Sequence, residues 1–360
     1  MRVAFLVACT ASLVGCSQAT DEVSARVQEP VVYGEDRRVQ YYEISDPALR
    51  TLVASTSIAL VSQDNVRIVD GGVVLNGPTW QAQDGLCADV TFGADPVVAY
   101  CSGVLIAPDL VLTAGHCLSA YDCTRMALVR NFRRSSGTDL ETIGIDDLRF
   151  CGSVVAWNSG EDNADDRTDF AWIKLDHPLD SGQNDPRWVF LPEGARVDGT
   201  AVMSFGYGAG GPVKLDTGRI SDARLASRDF LLTNLDAFAG MSGAPILDQQ
   251  DHLIGIDNRG APDLVVDPVE GCKRPNVLPE GMGMEAATYA MRALEALCEQ
   301  EPRRDICGDI AGGHSRVTGG GCRVSSSRGR APGWFGVLGG VWALLRRGKI
   351  GSHRRDRRSG

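Results

Sequence analysis

The stretch FAGMSGAP, Phe238 to Pro245, holds a serine among small residues. Gly and Ser suit tight backbone geometry, so by itself this segment reads as a turn. A serine becomes nucleophilic only beside a base that takes its proton. The segment CSGVLIAPDLVLTAGHCLS, Cys101 to Ser119, supplies a histidine in a specific setting. Two apolar runs flank Ala107-Pro108-Asp109, a turn, and the second run ends in Thr113-Ala114-Gly115-His116-Cys117. Cys101 and Cys117 lie 16 positions apart and meet if the two runs pair around that turn. A bridge there would pin His116, and a general base must be held within hydrogen-bond reach of its nucleophile.

The whole Cys101–Ser119 segment closely resembles the His-bearing segment of trypsin-like (chymotrypsin-fold) serine proteases. That resemblance implies a buried Asp further along, then the Ser. RTDFAWIKLDHPL, Arg167 to Leu179, resembles the family's Asp-bearing segment. Asp162, Asp165, Asp166 and Asp176 are nearby rivals, but the first three sit in a hydrophilic run and only Asp169 leads into Phe-Ala-Trp-Ile. His116, Asp169 and Ser242 then follow the chymotrypsin order, not that of subtilisins or α/β-hydrolases. Gly240-Met241-Ser242-Gly243-Ala244 also departs from Gly-x-Ser-x-Gly at its last position. By the same resemblance the backbone N–H groups of Gly240 and Ser242 form the oxyanion hole, where a side chain at 240 would obstruct the approach. The resemblance covers residues 55–297, including HLIGIDNRG (His252 to Gly260) as the strand lining the specificity pocket and SFGYG (Ser204 to Gly208) as a strand end.

What the resemblance implies is a serine endopeptidase that cleaves protein or peptide substrates through an acyl-enzyme, with no metal or organic cofactor. Asp236, six residues before Ser242, matches the acidic pocket base of trypsins and favours Arg or Lys before the scissile bond. Asp257, or a neighbour, stands where the glutamyl-endopeptidase branch carries a His, and a carboxylate there repels an acidic substrate. Basic or broad specificity is therefore expected over glutamyl preference. In animal trypsins an Asp precedes the nucleophile and captures the freed N-terminus; here that position is Met241. RIVDGG, Arg67 to Gly72, accordingly reads as strand and turn and not as an activation site. Val31-Val32-Tyr33-Gly34 resembles the mature start of the bacterial glutamyl-endopeptidase branch, which puts processing near Pro30. A second class of reading is a protease-fold binding module that has lost turnover, with Met241 distorting the nucleophile loop; an intact His-Asp-Ser set argues against it. A plain structural lipoprotein would need three ordered coincidences.

Elements able to position these residues are short. SIALV, VAYCSGVLI, LVLTAG, DFAWIKL, AVMSFGYG and HLIGI are apolar runs punctuated by Gly, Pro, Asn and Asp, as expected of buried strands. Asn76-Gly77 is a hairpin signal. One helix is predicted, Met284 to Leu297, with Ala287, Ala290, Met291, Leu294 and Leu297 at helical spacing. Many strands and one late helix argue for an all-β barrel or sandwich; the resemblance narrows this to a double six-stranded β-barrel with a C-terminal helix. No internal repeat at a fixed period is visible.

Both ends look like addresses. Residues 1–19 follow the signal-peptide pattern of an early Arg, an apolar run and small residues. Leu13-Val14-Gly15-Cys16 resembles a lipobox, with Cys16 the lipidation site, although cleavage after Ser17-Gln18-Ala19 is the plainer alternative. Residues 20–50 read as an N-terminal arm or propeptide that wraps onto the protease domain, 51–298. Residues 299–321 lack periodicity and read as a linker. The last segment, 322–360, joins a cysteine, the 15-residue apolar run Ala331 to Leu345 and an Arg cluster. It resembles the MYXO-CTERM sorting tag of myxobacterial surface proteins, with Cys322 as the tag's cysteine.

Charge argues against a nucleic-acid partner, and the cysteines agree with export. The 360 residues carry −10, but residues 346–358 hold six Arg and one Lys against one Asp, which leaves −16 for the rest. An acidic body with a short basic tail is a poor match for nucleic acid. Of 11 cysteines, Cys9, Cys16 and Cys322 fall in the two addresses. Cys87, Cys101, Cys117, Cys123, Cys151, Cys272, Cys298 and Cys307 remain, enough for up to four bridges in an oxidising compartment. The expected partners are substrates and the export and surface-sorting machinery, with membrane contact through the termini alone. A monomer at the cell surface or outer membrane, or released outside, is the expectation.

Overall fold

The computed structural model describes residues 32–160, 168–180, 188–227 and 230–308. The leader with Cys16, the rival acids Asp162, Asp165 and Asp166, and the tag with Cys322 lie outside the described residues. No helix among the described residues is long and apolar enough to cross a membrane.

Six strands close the first barrel: β1 (Ser57–Ser62), β2 (Ala99–Ala107), β3 (Leu110–Thr113), β4 (Met126–Val129), β5 (Leu148–Asn158) and β6 (Phe170–Leu175). They pair around the ring as β1-β2-β3-β6-β5-β4, every neighbour antiparallel. The second barrel is β7 (Ala201–Gly206), β8 (Lys214–Asp222), β9 (Leu231–Thr233), β10 (Pro245–Asp248), β11 (Leu253–Arg259) and β12 (Glu285–Tyr289). Its ring is β7-β8-β9-β12-β11-β10, closed by the β7–β10 pair. The two barrels thus repeat one strand order, a duplication that no sequence period betrays. The apolar runs form strands because both faces are covered: β1, β3 and β4 are buried along their whole lengths.

The predicted helix from Met284 is only half right. Glu285–Tyr289 is strand β12, paired to β9 on one side and β11 on the other, and the helix runs Ala290–Gln300. Alanines favour a helix, but two ladders of hydrogen bonds outweigh that preference. The helix buries Ala290, Ala293, Leu294 and Leu297, and Trp172 Nε1 donates to its Ala293 carbonyl at 2.6 Å.

Other local readings also shift. RIVDGG is indeed strand and turn: Val66–Val69 pairs with Gly72–Leu75 across Asp70-Gly71, both at positive φ. Asn76-Gly77 is not the hairpin turn; it follows that pair and leads toward a short helix, Trp80–Asp84. The expected linker is, as far as Gly308, tied back: Cys298–Cys307 closes it, and Arg304 pairs with Asp109 at 3.0 Å. The remaining cysteines of the set form Cys87–Cys272, Cys101–Cys117 and Cys123–Cys151. The arm also joins the body. Val39–Gln40 pairs with β8, and Val32–Tyr33 runs parallel to Val277–Leu278.

Candidate active site

Strand register brings two of the residues together. Thr113 at the end of β3 lies opposite Ala171 of β6. The strands are antiparallel, so the chain leaving β3 toward His116 runs beside the chain entering β6 at Asp169. The Cys101–Cys117 bridge ties the residue after His116 back to β2. Asp169 accepts from the His116 backbone N–H at 3.0 Å and lies 2.7 Å from its Nδ1. His116 Nε2 lies 2.7 Å from Ser242 Oγ. Asp169 is only 2% exposed and Ser242 3%, so water does not compete for these bonds.

Ser242 stands just before β10 on the second barrel, and its loop is shaped by two glycines. At Gly240 φ is +100°, and a Cβ would meet the Tyr207 carbonyl at 2.5 Å. At Gly243 φ is +87°, and a Cβ would meet the Ser102 carbonyl at 2.2 Å. Neither position admits a side chain. The loop is then fixed by named bonds. Ser102 N donates to the Ser242 carbonyl at 2.8 Å, and Gly243 N donates to the Asp257 carbonyl at 2.6 Å. The Ser102 hydroxyl donates to the Gly240 carbonyl at 2.6 Å and accepts from Tyr207 N at 2.9 Å.

Three supporting residues escape the sequence reading: Ser102, Asn258 and Thr288. Thr288 Oγ accepts from the Asp169 N–H at 2.8 Å. With its amide NH2 toward the Ala286 carbonyl at 2.8 Å, Asn258 offers its oxygen to the Thr288 hydroxyl at 2.7 Å. Ser102 could have been found, because it sits inside the quoted His-bearing segment. Thr288 carries no such signal, because its segment has helical spacing and becomes a strand only through distant partners.

The two acids expected to line a substrate pocket are placed differently. Asp236 is 1% exposed. Its carboxylate accepts from Tyr33 N at 2.7 Å and Arg37 N at 2.9 Å, and Arg37 Nη2 stands 3.4 Å away. The arm therefore occupies the carboxylate that was expected to pair with a substrate cation. This corrects the expectation: a residue distant in sequence took the partner's place. Asp257 lies in β11 behind the nucleophile loop and is 2% exposed, and its Oδ1 has no partner among the described residues. Burial pushes its carboxyl up to about 7. Burial, with the charge of Asp236 alongside, likewise pushes Asp216 up to about 7. Tyr33 is fully buried nearby, and its hydroxyl donates to Glu285 at 2.7 Å. A cleft of about 670 Å³ opens beside Gly240, bordered by Asn65, Trp80, Tyr100, Ala239 and Asp263.

A base, its orienting carboxylate and a hydroxyl in one hydrogen-bonded line is the arrangement that activates a serine. Residues 101–256, from β2 into β11, match the family model described as the trypsin-like peptidase domain. The matched stretch holds His116, Asp169 and Ser242 together. Among solved structures it is similar to a Glu endopeptidase in complex with MPD, at 17% identity and a TM-score of 0.44, over 76% of this chain and 100% of that one. It is also similar to Rv3671c from M. tuberculosis, in an inactive form, at 15% identity and a TM-score of 0.40, over 77% and 98% of the two chains. No curated protein matches the sequence.

Proposed function

We propose that this trypsin-like domain is an active, exported serine endopeptidase. The carrying observation is the continuous line Asp169–His116–Ser242, with 2.7 Å at each side-chain junction. His116 takes the Ser242 proton as Oγ attacks the peptide carbonyl, and Asp169 holds the Nδ1–H tautomer and steadies the imidazolium. The developing oxyanion is met by the N–H groups of Gly240 and Ser242. His116 then gives its proton to the leaving amine, the acyl-enzyme forms, and a water activated by the same imidazole hydrolyses it. The cleft beside Gly240, next to Tyr100, is where the peptide's leaving side would lie.

Four disulfides favour an oxidising compartment, which agrees with the signal-like first 19 residues. Anchoring at the surface through Cys16 or the 322–360 tag remains part of the proposal. Asp236 no longer supports a preference for basic residues, since the arm holds it. No observation favours the binding-module reading, because the hydrogen-bonded line is intact.

The test is labelling of the exported protein by a fluorophosphonate, together with casein hydrolysis. Both are expected in the natural sequence and neither in Ser242→Ala or His116→Ala. A folded, disulfide-bonded protein that takes no label at Ser242 would refute the proposal.

A further inference from the structure

We infer that the N-terminal arm is a built-in clamp on the loop that carries the oxyanion hole, and that Arg38 and Asp236 are positioning residues for catalysis. The inference rests on the serine-protease reading above. Residues 234–241 join β9 to Ser242 without belonging to any strand. The arm grips this stretch at alternate positions. Arg37 Nη2 donates to the Asn234 carbonyl at 2.7 Å. The Asp236 carboxylate accepts the Tyr33 and Arg37 backbone N–H groups at 2.7 and 2.9 Å. Arg38 places its guanidinium 4.0 Å from the centroid of the Phe238 ring, while Trp80 meets that ring edge-on at 5.3 Å.

The grip reaches the hole through one turn. The Phe238 carbonyl accepts from Met241 N at 2.8 Å, which closes the turn containing Gly240. Ala239 N is held from the other side by Asp263 at 3.0 Å. A shift of Phe238 therefore moves the peptide units that end in the Gly240 and Ser242 N–H groups. The arm is itself anchored: Arg38 binds Asp36 with two bonds of 2.9 and 2.7 Å, and the strands on either side of it pair with the body.

Met241 explains why such a clamp has work to do. It is buried against Ala237 and Ala244 and offers no charge to a freed α-amino group. The arm holds the loop instead through backbone N–H groups and internal side chains, which exist whether or not the chain has been cut upstream. Processing near Pro30 leaves this clamp whole, and a cut between Tyr33 and Arg38 removes it.

The experiment compares the full exported protein with Arg38→Met, Arg38→Lys and Asp236→Asn by hydrogen exchange of the 234–242 peptide and by steady-state kinetics. Arg38→Met is expected to speed exchange in that peptide at least tenfold while β2 and β3 stay unchanged. It is expected to lower kcat by about 10- to 100-fold, below the loss from removing a whole oxyanion donor, with KM within twofold. Arg38→Lys, which keeps a cation over Phe238, recovers most of both; Asp236→Asn behaves like Arg38→Met. Unchanged loop exchange in Arg38→Met and Asp236→Asn overturns the clamp. So does a rise in KM at constant kcat, which would return Asp236 to a substrate pocket. If the natural protein takes no fluorophosphonate, the protease reading fails, and the exchange comparison still decides the clamp.

Discussion

Replacing Asp169 by Asn probes the orienting carboxylate with almost no change of shape. Asp169 receives two N–H groups from one residue, the His116 backbone at 3.0 Å and its Nδ1–H at 2.7 Å. A carboxamide has one oxygen and one NH2, so it cannot accept both. With the oxygen toward Nδ1, the NH2 faces the His116 N–H in a site 2% exposed, and the unmatched donors cost about 1–3 kcal/mol. The cheaper arrangement turns the NH2 toward Nδ1. The imidazole must then carry its proton on Nε2, where it donates to Ser242 Oγ and can no longer take the serine's proton. In the serine-protease template this exchange lowers kcat by about 10⁴, roughly 5 kcal/mol at about 1.4 kcal/mol per decade. The assay is the second-order rate of fluorophosphonate labelling at pH 8, which needs no knowledge of the natural substrate. A fall of about three to four decades, in a protein that melts within a few degrees of the parent, is expected. A loss of less than tenfold would refute the assignment of His116 as a base oriented by Asp169.

Three further outcomes follow from the same contacts. Thr288→Val keeps the shape but strips the hydroxyl from between the Asp169 N–H and the Asn258 oxygen; about 2–4 kcal/mol of stability should be lost in denaturant titrations. Asp257→Asn addresses pH. Its folded carboxyl, raised by burial to about 7 from an ordinary 3.8, holds a proton that the unfolded chain has released. Stability from this group is therefore present below pH 4 and lost as pH climbs through 7. Melting temperatures at pH 5 and pH 8.5 should differ less in Asp257→Asn than in the parent, and an unchanged gap would count against a buried, proton-holding Asp257. Finally, Cys87–Cys272 closes a separation of 185 residues and Cys298–Cys307 only 9. Chain entropy gives losses of about 5 and about 2.5 kcal/mol on replacing each pair by alanine, so the first pair should destabilise more in thermal melts.

The parts of the fold that were legible are those whose signal is local. SIALV, LVLTAG and DFAWIKL are strands because continuous apolar runs must be covered on both faces. Cys101–Cys117 was readable because its two runs fold back around one short turn. The failures have the opposite character. Glu285–Tyr289 looks helical in composition and becomes a strand only through partners at Leu231–Thr233 and Gly255–Arg259. Asn76-Gly77 has hairpin chemistry, but Gly72–Leu75 already has its partner on the preceding side, at Asp70-Gly71. In each case a pairing made elsewhere in the chain overrode a local preference.

The same distinction separates the two halves of the site. His116, Asp169 and Ser242 each sit in a segment with its own strong pattern, so each could be picked out before their meeting was known. Asp236 can be picked out too, yet the partner of its carboxylate is Tyr33, 203 positions away, which no local pattern announces. Arg38 has no local pattern at all; only its position over Phe238 gives it a function. The two barrels share one strand order, and the hydrogen-bonded line runs from the first, which carries His116 and Asp169, to Ser242 on the second. The arm comes from the N-terminal side of the first barrel and is bonded to the second. It thereby holds the nucleophile's loop from a segment that takes no part in the chemistry. If Arg38→Met leaves that loop as protected as before, the second barrel alone sets the oxyanion hole, and the arm is packing.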